Sequence, residues 1–478
     1  MIFMIKAAQL VLALVILVTI HEFGHYLFAR IFGIKVEKFY LFFNPWFSLV
    51  TYDPMKGTVK VLSRNADESN PDPKALCTFK VGRPHNPRPD GKPTWRDTIY
   101  GLGWLPLGGY CSIAGMVDET KSASDLGSEP QPWEFRSKAA YKRLMVMVAG
   151  VLFNFLLAIV IYIGIAMHWG DYVIPFRNIT EGMDFVPEMQ AVGFRNGDIL
   201  ASIDGKPMDN KDYTLGWDML QPGARIGVLR NGNDTVITIP DELIKEMVAR
   251  NTPAFSIRVP VYVQSVVPGE GAAAADLRPD DHIVAVGSTR TPSFTEFVPA
   301  LLDYKDTEVA LTVLRGDSVV SVPVHVNDAG KIGIGLKAPQ DVYRTEQVSY
   351  NLIMAIPRGI NIGVGQLTTY VSSLGLVFTK EGAKSLGGFG TLGSLFPDRW
   401  NWFTFWNLTA FLSIILAFMN ILPIPALDGG YTLFLLVEMV TRRKPSDRFL
   451  EIANTIGFFL LLALLLFANG NDLYRFFK

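Results

Sequence analysis

Cysteine is almost absent from this sequence. Of its 478 residues only Cys77 and Cys111 carry a thiol, too few for a disulfide framework and wrongly spaced for a CxxC metal site. Histidine is scarce too, with six in the whole chain. Charge is thin: Asp, Glu, Lys and Arg together make 19% of the residues and leave a formal net charge of −1. Such a balance lacks the basic footprint that holds a polyanion, so no nucleic-acid partner is expected. What the chain has in excess is apolar side chain, 49% of all residues. A chain this long and this apolar is expected to hold several domains and to place part of itself in a lipid bilayer.

Four segments are apolar over the roughly 20 residues that a bilayer requires: about 5–28, 144–168, 402–422 and 452–468. No small-x-small cleavage site follows the first, so it reads as a retained span and not a signal peptide. Basic residues flank the spans on one side only. Arg30, Lys35 and Lys38 follow the first, Lys138, Lys142 and Arg143 precede the second, and Arg442, Arg443, Lys444 and Arg448 lie between the last two. Because such clusters tend to stay cytoplasmic, both termini and the long segment from about 170 to 400 are expected on the opposite side. In a Gram-negative cell that side is the periplasm.

The long segment contains a repeat. GFRNGDILASIDG (193–205) and DLRPDDHIVAVGS (276–288) align so that Arg195 matches Arg278 and Asp198 matches Asp281. Each copy reads as a turn, an aspartate, an apolar strand and a second turn, and hairpin-type strands follow both. Together they resemble two PDZ domains in tandem, about 172–242 and 256–340, which would bind extended peptides at a sheet edge or serve as spacers or size filters. Neither copy shows a clean GLGF-type carboxylate loop, and Asp280 stands where the second copy is expected to carry glycine.

The first apolar run ends in HEFGH. Residues four apart share a helix face, so His21 and His25 can offer two imidazoles to one ion with Glu22 beside them, the HExxH zinc arrangement. Catalytic zinc takes a third protein ligand and keeps one position open. The best candidate is Asp428 in NILPIPALDGG, just past the third span, where Pro423 and Pro425 break the helix. Non-helical backbone at membrane depth survives only against protein or a wet cavity, which puts Asp428 at the expected depth of His21.

With HEFGH in the first span, NILPIPALDGG after the third and tandem PDZ-like repeats between, the chain resembles the site-2 protease family of intramembrane zinc metalloproteases, in its bacterial regulator of sigma-E protease branch. The resemblance implies a polytopic α-helical membrane protein with about four transmembrane helices and two periplasmic PDZ-like α/β domains. It implies Zn2+ on His21, His25 and Asp428, with Glu22 as the catalytic acid/base. GVLFN (150–154) matches the family's GxxxN. LPLGGY (105–110) matches a loop, about 103–115, that in relatives dips into the membrane as a β-hairpin and holds the substrate strand. Asn154, Asn420, Gly108 and Gly109 are therefore candidates for polarising or positioning the substrate.

The implied substrates are single-span membrane proteins cut after a prior ectodomain cleavage, anti-sigma factors and remnant signal peptides among them. The implied location is the bacterial inner membrane. The stretch from about 52 to 93 is longer and more polar than that resemblance leads one to expect and reads as a cytoplasmic insertion. Tyr431 stands where relatives often have histidine. Residues 346–400 read as an amphipathic surface helix or part of a gate over the site. A non-catalytic zinc-containing PDZ scaffold is the alternative function, against which the intact Glu22 weighs, since a structural site needs no base.

Overall fold

A computed structural model describes residues 2–65, 74–86, 88, 91–106, 108–116, 129–208, 221–250, 254–377 and 387–477. The chain forms two compact units, one built from 1–169 with 350–478 and the other from 170–349.

The first unit contains four helices long and apolar enough to cross a membrane: Ile2–Ile31, Ala140–Trp169, Trp402–Ile421 and Arg448–Arg475. Each is longer than its apolar run or about equal to it, because polar flanks continue the helical hydrogen bonding. We label the helices of this unit α1 (Ile2–Ile31), α2 (Ala140–Trp169), α3 (Leu352–Val377), α4 (Trp402–Ile421), α5 (Asp428–Thr441) and α6 (Asp447–Phe477). The end of α1 is set by Gly33 at φ 64°. It lets Ile34 N–H return to Ala29 O and Gly33 N–H to Arg30 O, the paired bonds of a Schellman stop. Helix α4 starts where the Asn401 side chain accepts from the Thr404 N–H at 3.0 Å. It ends one residue before the two prolines that the sequence places there.

Between α1 and α2 lies a six-stranded sheet in the order β4-β3-β2-β5-β1-β6, formed by β1 (Val36–Leu41), β2 (Phe47–Asp53), β3 (Thr58–Arg64), β4 (Ala75–Lys80), β5 (Ile99–Leu102) and β6 (Tyr110–Ile113). The stretch 52–93, read as an insertion, does not stand apart as a module of its own: β2 pairs with β5, and β3 and β4 extend the same sheet. Its polar residues alternate along paired strands, a pattern hidden until the partner strands are known. Residues 66–73, 87, 89 and 90 of that stretch lie outside the described residues, as does Leu107 of LPLGGY.

Nor do the strands around LPLGGY close on each other as a hairpin. Strand β1 runs between β5, to which it is parallel, and β6, to which it is antiparallel. The connection crosses over Phe42 and Phe43 so closely that a Cβ on Gly103 would lie 2.2 Å from Phe43 O. Strand β6 is left as an edge.

Helix α3, read as a surface helix or part of a gate, packs against α2 and α4. A stripe of buried small residues, Ala355, Gly359 and Gly363, runs at four-residue spacing along it. Gly359 and Gly363 sit against Ile163 and Ile159 of α2, and Tyr370 lies edge-on to Phe411 and Phe418 of α4. Small residues let helix backbones approach where no hydrophobic effect drives them together. Helix α3 thus lies along a candidate span.

The second unit has two lobes with separate cores, one around Met183, Leu200, Ile226 and Val228, the other around Val263, Ile283, Leu311 and Val313. The repeat read from the sequence has matching geometry in each lobe. Asp198 accepts from Arg195 N–H and from both forks of Arg230. Asp281 does the same with Arg278 N–H and Arg315. Asp280 takes φ 73° where Gly197 takes 95°, so the turn keeps its form with a residue that tolerates the left-handed region. In the second lobe the sheet runs β10-β9-β8-β7-β11, with β7 (Val261–Val266), β8 (His282–Val286), β9 (Glu308–Arg315), β10 (Ser318–His325) and β11 (Ile334–Leu336), the last an edge strand preceded by Gly333. Arg258, 5% exposed, joins the lobes by pairing with Asp184 of one and Glu296 of the other. Part of the first repeat, 209–220, lies outside the described residues.

Candidate metal centre

One helical turn of α1 brings His21 and His25 to a common face, both buried. Asp428 reaches the same point from the first residue of α5. Its Oδ2 lies 3.1 Å from His21 Nε2 and 3.2 Å from His25 Nε2, and the two imidazole nitrogens are 3.3 Å apart. Two nitrogens and a carboxylate oxygen within 4.8 Å of one another could hold a metal ion, and they form the donor set of a catalytic zinc site. Asp428 Oδ2 is buried without a hydrogen-bond donor of its own, as expected of an oxygen that awaits a cation.

The surrounding residues orient the ligands. His25 Nδ1 sits 2.9 Å from Val146 O, so Nδ1 carries the proton and the Nε2 lone pair faces Asp428. Asn154 of α2, fully buried, meets His21 Nδ1 at 3.3 Å through Nδ2 while its Oδ1 lacks a partner. Turning that amide over lets Oδ1 accept from a His21 Nδ1–H, which satisfies the orphan oxygen and frees His21 Nε2 for the metal. The Asn154 backbone is held in turn by Ser413 Oγ of α4 at 2.7 Å. Asn420 stands on the opposite side of the ring, its Nδ2 3.4 Å from His21 Nε2. The two asparagines thus separate: Asn154 behind the histidine, Asn420 on the ligand side.

Glu22 points toward the sheet. Its carboxylate accepts a hydrogen bond from the Cys111 backbone N–H of β6. Gly109, just ahead of that strand, fits between Tyr40 O and Val18 of α1, which a Cβ would approach to 2.6 and 3.0 Å. Gly108, at φ 151°, packs under the Phe43 ring. Both glycines are therefore demanded by the route of the chain into β6.

One more residue shapes the centre. Gly150 of α2 is the first residue of GVLFN, and a Cβ there would lie 2.4 Å from His25 Nε2 and 2.7 Å from His21 Cε1. The missing side chain is what gives the imidazoles their room.

The sequence profile of peptidase family M50 matches residues 9–61 and 91–464. The chain belongs to peptidase family M50. The gap in the match, 62–90, covers the end of β3 and all of β4, so the extension of the sheet is where this chain differs from the family pattern. Among relatives, a Haemophilus influenzae protein named Regulator of sigma E protease is 26% identical over 504 residues, with 99% of each chain covered. A Yersinia pestis protein named Protease RseP is 25% identical over 503 residues, with 98% of each covered. A Neisseria meningitidis protein provisionally named a zinc metalloprotease is 23% identical over 493 residues, covering 97% of this chain and 98% of that one. This chain is a site-2 type metalloprotease, and the four long apolar helices among its described residues are those of a membrane protein.

Proposed function

We propose that the protein hydrolyses a peptide bond inside the transmembrane segment of single-span membrane proteins, with His21, His25 and Asp428 holding zinc and Glu22 moving the proton. The observation that carries this reading is the convergence of three ligand atoms from distant helices beside a glutamate that touches an edge strand. Zinc supplies a Lewis acid that makes water nucleophilic near neutral pH. Glu22 accepts the proton of the attacking water and delivers it to the leaving amide nitrogen. Asn154 keeps His21 in its ligating tautomer. Asn420 donates from Nδ2 to the carbonyl oxygen as negative charge develops there.

A transmembrane helix must unwind before its carbonyls are open to attack. The outer edge of β6, entered through Gly108 and Gly109, offers backbone groups to the unwound strand in place of the lost helical ones. The two lobes of 170–349 are PDZ-like domains on the periplasmic face of the inner membrane. They exclude substrates that still carry a bulky ectodomain, so that cleavage follows an earlier cut. The edge strand β11, preceded by Gly333, suits an extended peptide. Anti-sigma factors are the natural class of substrate, in keeping with the name of the Haemophilus relative, and remnant signal peptides share the required single span.

The test compares wild type with Glu22→Gln on a short-ectodomain single-span substrate, in detergent and at matched zinc content. Wild type is expected to cut, and the variant to keep its zinc without cutting. Cleavage by Glu22→Gln at the wild-type rate would remove Glu22 from the proton transfer.

A further inference from the structure

The turn that delivers Asp428 is gripped from the last helix. Between α4 and α5 the chain makes a β-turn closed by Leu427 N–H on Ile424 O at 3.1 Å. Pro425 is its second residue and Ala426, at φ 72°, its third. Those are the features of a type II turn, in which glycine is usual at the third position because a Cβ resists positive φ. The sequence puts alanine there. The Ala426 N–H is not used within the turn, and a partly buried backbone donor still calls for an acceptor.

Asn454 of α6 is that acceptor, with Oδ1 3.3 Å from Ala426 N. Its Nδ2 donates to the Tyr431 hydroxyl at 3.2 Å, and Tyr431 is buried one turn into α5 from Asp428. One side chain therefore holds the backbone two residues before Asp428 and a side chain three residues after it. Gly457, on the same face of α6 as Asn454, lets the helix close on the turn: a Cβ there would lie 1.9 Å from Pro425 O. Helix α6 is otherwise little engaged, since 6% of its apolar window is buried, the least of the four candidate spans.

We infer that Asn454 is a positioning residue for Asp428: it stabilises the left-handed Ala426 turn and so fixes the carboxylate against His21 and His25. The inference rests on the reading of Asp428 as a zinc ligand. Tyr431 fits this role as the hydroxyl partner of Asn454, which gives the residue following DGG a function in this chain.

The test uses the full-length protein in detergent. Asn454→Leu keeps the branching at Cγ and removes both hydrogen bonds. Relative to wild type, it is expected to speed hydrogen exchange at the Ala426 amide in the zinc-free protein, to release zinc to a chelator roughly tenfold faster or more, as loss of an outer support does, and to lower kcat with little change in KM. Asn454→Asp, which keeps the acceptor for Ala426 N–H, is expected to stay close to wild type. Ala426→Gly, which relieves the cost of positive φ, is expected to restore zinc retention in the Asn454→Leu background.

Wild-type amide exchange and zinc release in Asn454→Leu would overturn the inference, and so would a defect that neither Asn454→Asp nor Ala426→Gly repairs. If Asn454→Leu does not accumulate in membranes, Asn454→Ala carries the same comparison with the same two outcomes. An Asp428→Asn control separates the two readings. If Asp428→Asn keeps zinc as firmly as wild type, the ligand assignment fails; if it alone loses zinc while the Asn454 variants do not, only the positioning role fails.

Discussion

Substituting Gly150 by alanine adds one methyl group at the most crowded point of the centre. That methyl would lie 2.4 Å from His25 Nε2 and 2.7 Å from His21 Cε1, where ordinary contact begins at 3.4 Å, so something must retreat by about 1 Å. The imidazoles have no room to yield. His25 is tied through Nδ1 to Val146 O, one turn back on the same helix as Gly150, and His21 is backed by Asn154. The alternative is for α1 and α2 to separate. They already meet backbone to backbone at Gly24, whose own Cβ would lie 2.6 Å from Ala149 O, and parting them opens that contact too.

Overpacking of this kind costs about 1–3 kcal/mol of stability, and a reacting constellation displaced by about 1 Å loses on the order of 100-fold in turnover. Gly150→Ala is therefore expected to fold with a modestly lower Tm, to hold less zinc per protein molecule, and to cut a short-ectodomain substrate about 100-fold more slowly. Metal analysis, thermal melting and a cleavage time course read the three effects separately. Full zinc occupancy together with wild-type turnover would refute the claim that the bare backbone of α2 makes room for the ligands.

Two further predictions concern other parts of the molecule. The Arg315 guanidinium bonded to Asp281 holds that carboxyl below the usual carboxylate range. Because folding favours the ionised form, the stabilisation is present above the unfolded carboxylate pKa of about 3.9 and is lost as pH falls through the lower folded value. Asp281→Asn should lower the Tm at neutral pH and flatten its acid limb; an unchanged acid limb would show that the pair contributes nothing there. At the α2–α3 contact, a Cβ on Gly359 would lie 2.5 Å from Ile163 Cγ1 and 2.7 Å from its backbone nitrogen. Gly359→Leu should push α3 off α2 and raise thiol labelling of an Ala355→Cys reporter, and labelling equal to that in the Gly359 background would count against the packing.

The candidate metal centre is the most legible part of the sequence, because its chemistry is local. HEFGH puts two imidazoles on one face by helical periodicity alone, and the paired prolines before Asp428 mark a helix break that apolar surroundings tolerate only for a reason. What lay hidden depends on partners distant in sequence. Strands β3 and β4 read as a polar insertion until β2 is placed beside them. Gly150 reads as an ordinary helical glycine until two imidazoles come to rest on it. Asn454 reads as an interruption in an apolar span until the Ala426 N–H is seen to need it. The stripe of Ala355, Gly359 and Gly363 was visible at helical spacing, but small residues do not name the helix they face. Asp280, by contrast, looked like a departure from the repeat and turned out to preserve its turn.

His21 and His25 are translated before Asp428, and Asp428 before the helix that grips its turn. Until α5 is made, the two histidines have no carboxylate beside them. On the proposed function the chain is therefore inert while its own earlier spans are being inserted, and it gains its cutting power only once α5 has joined them.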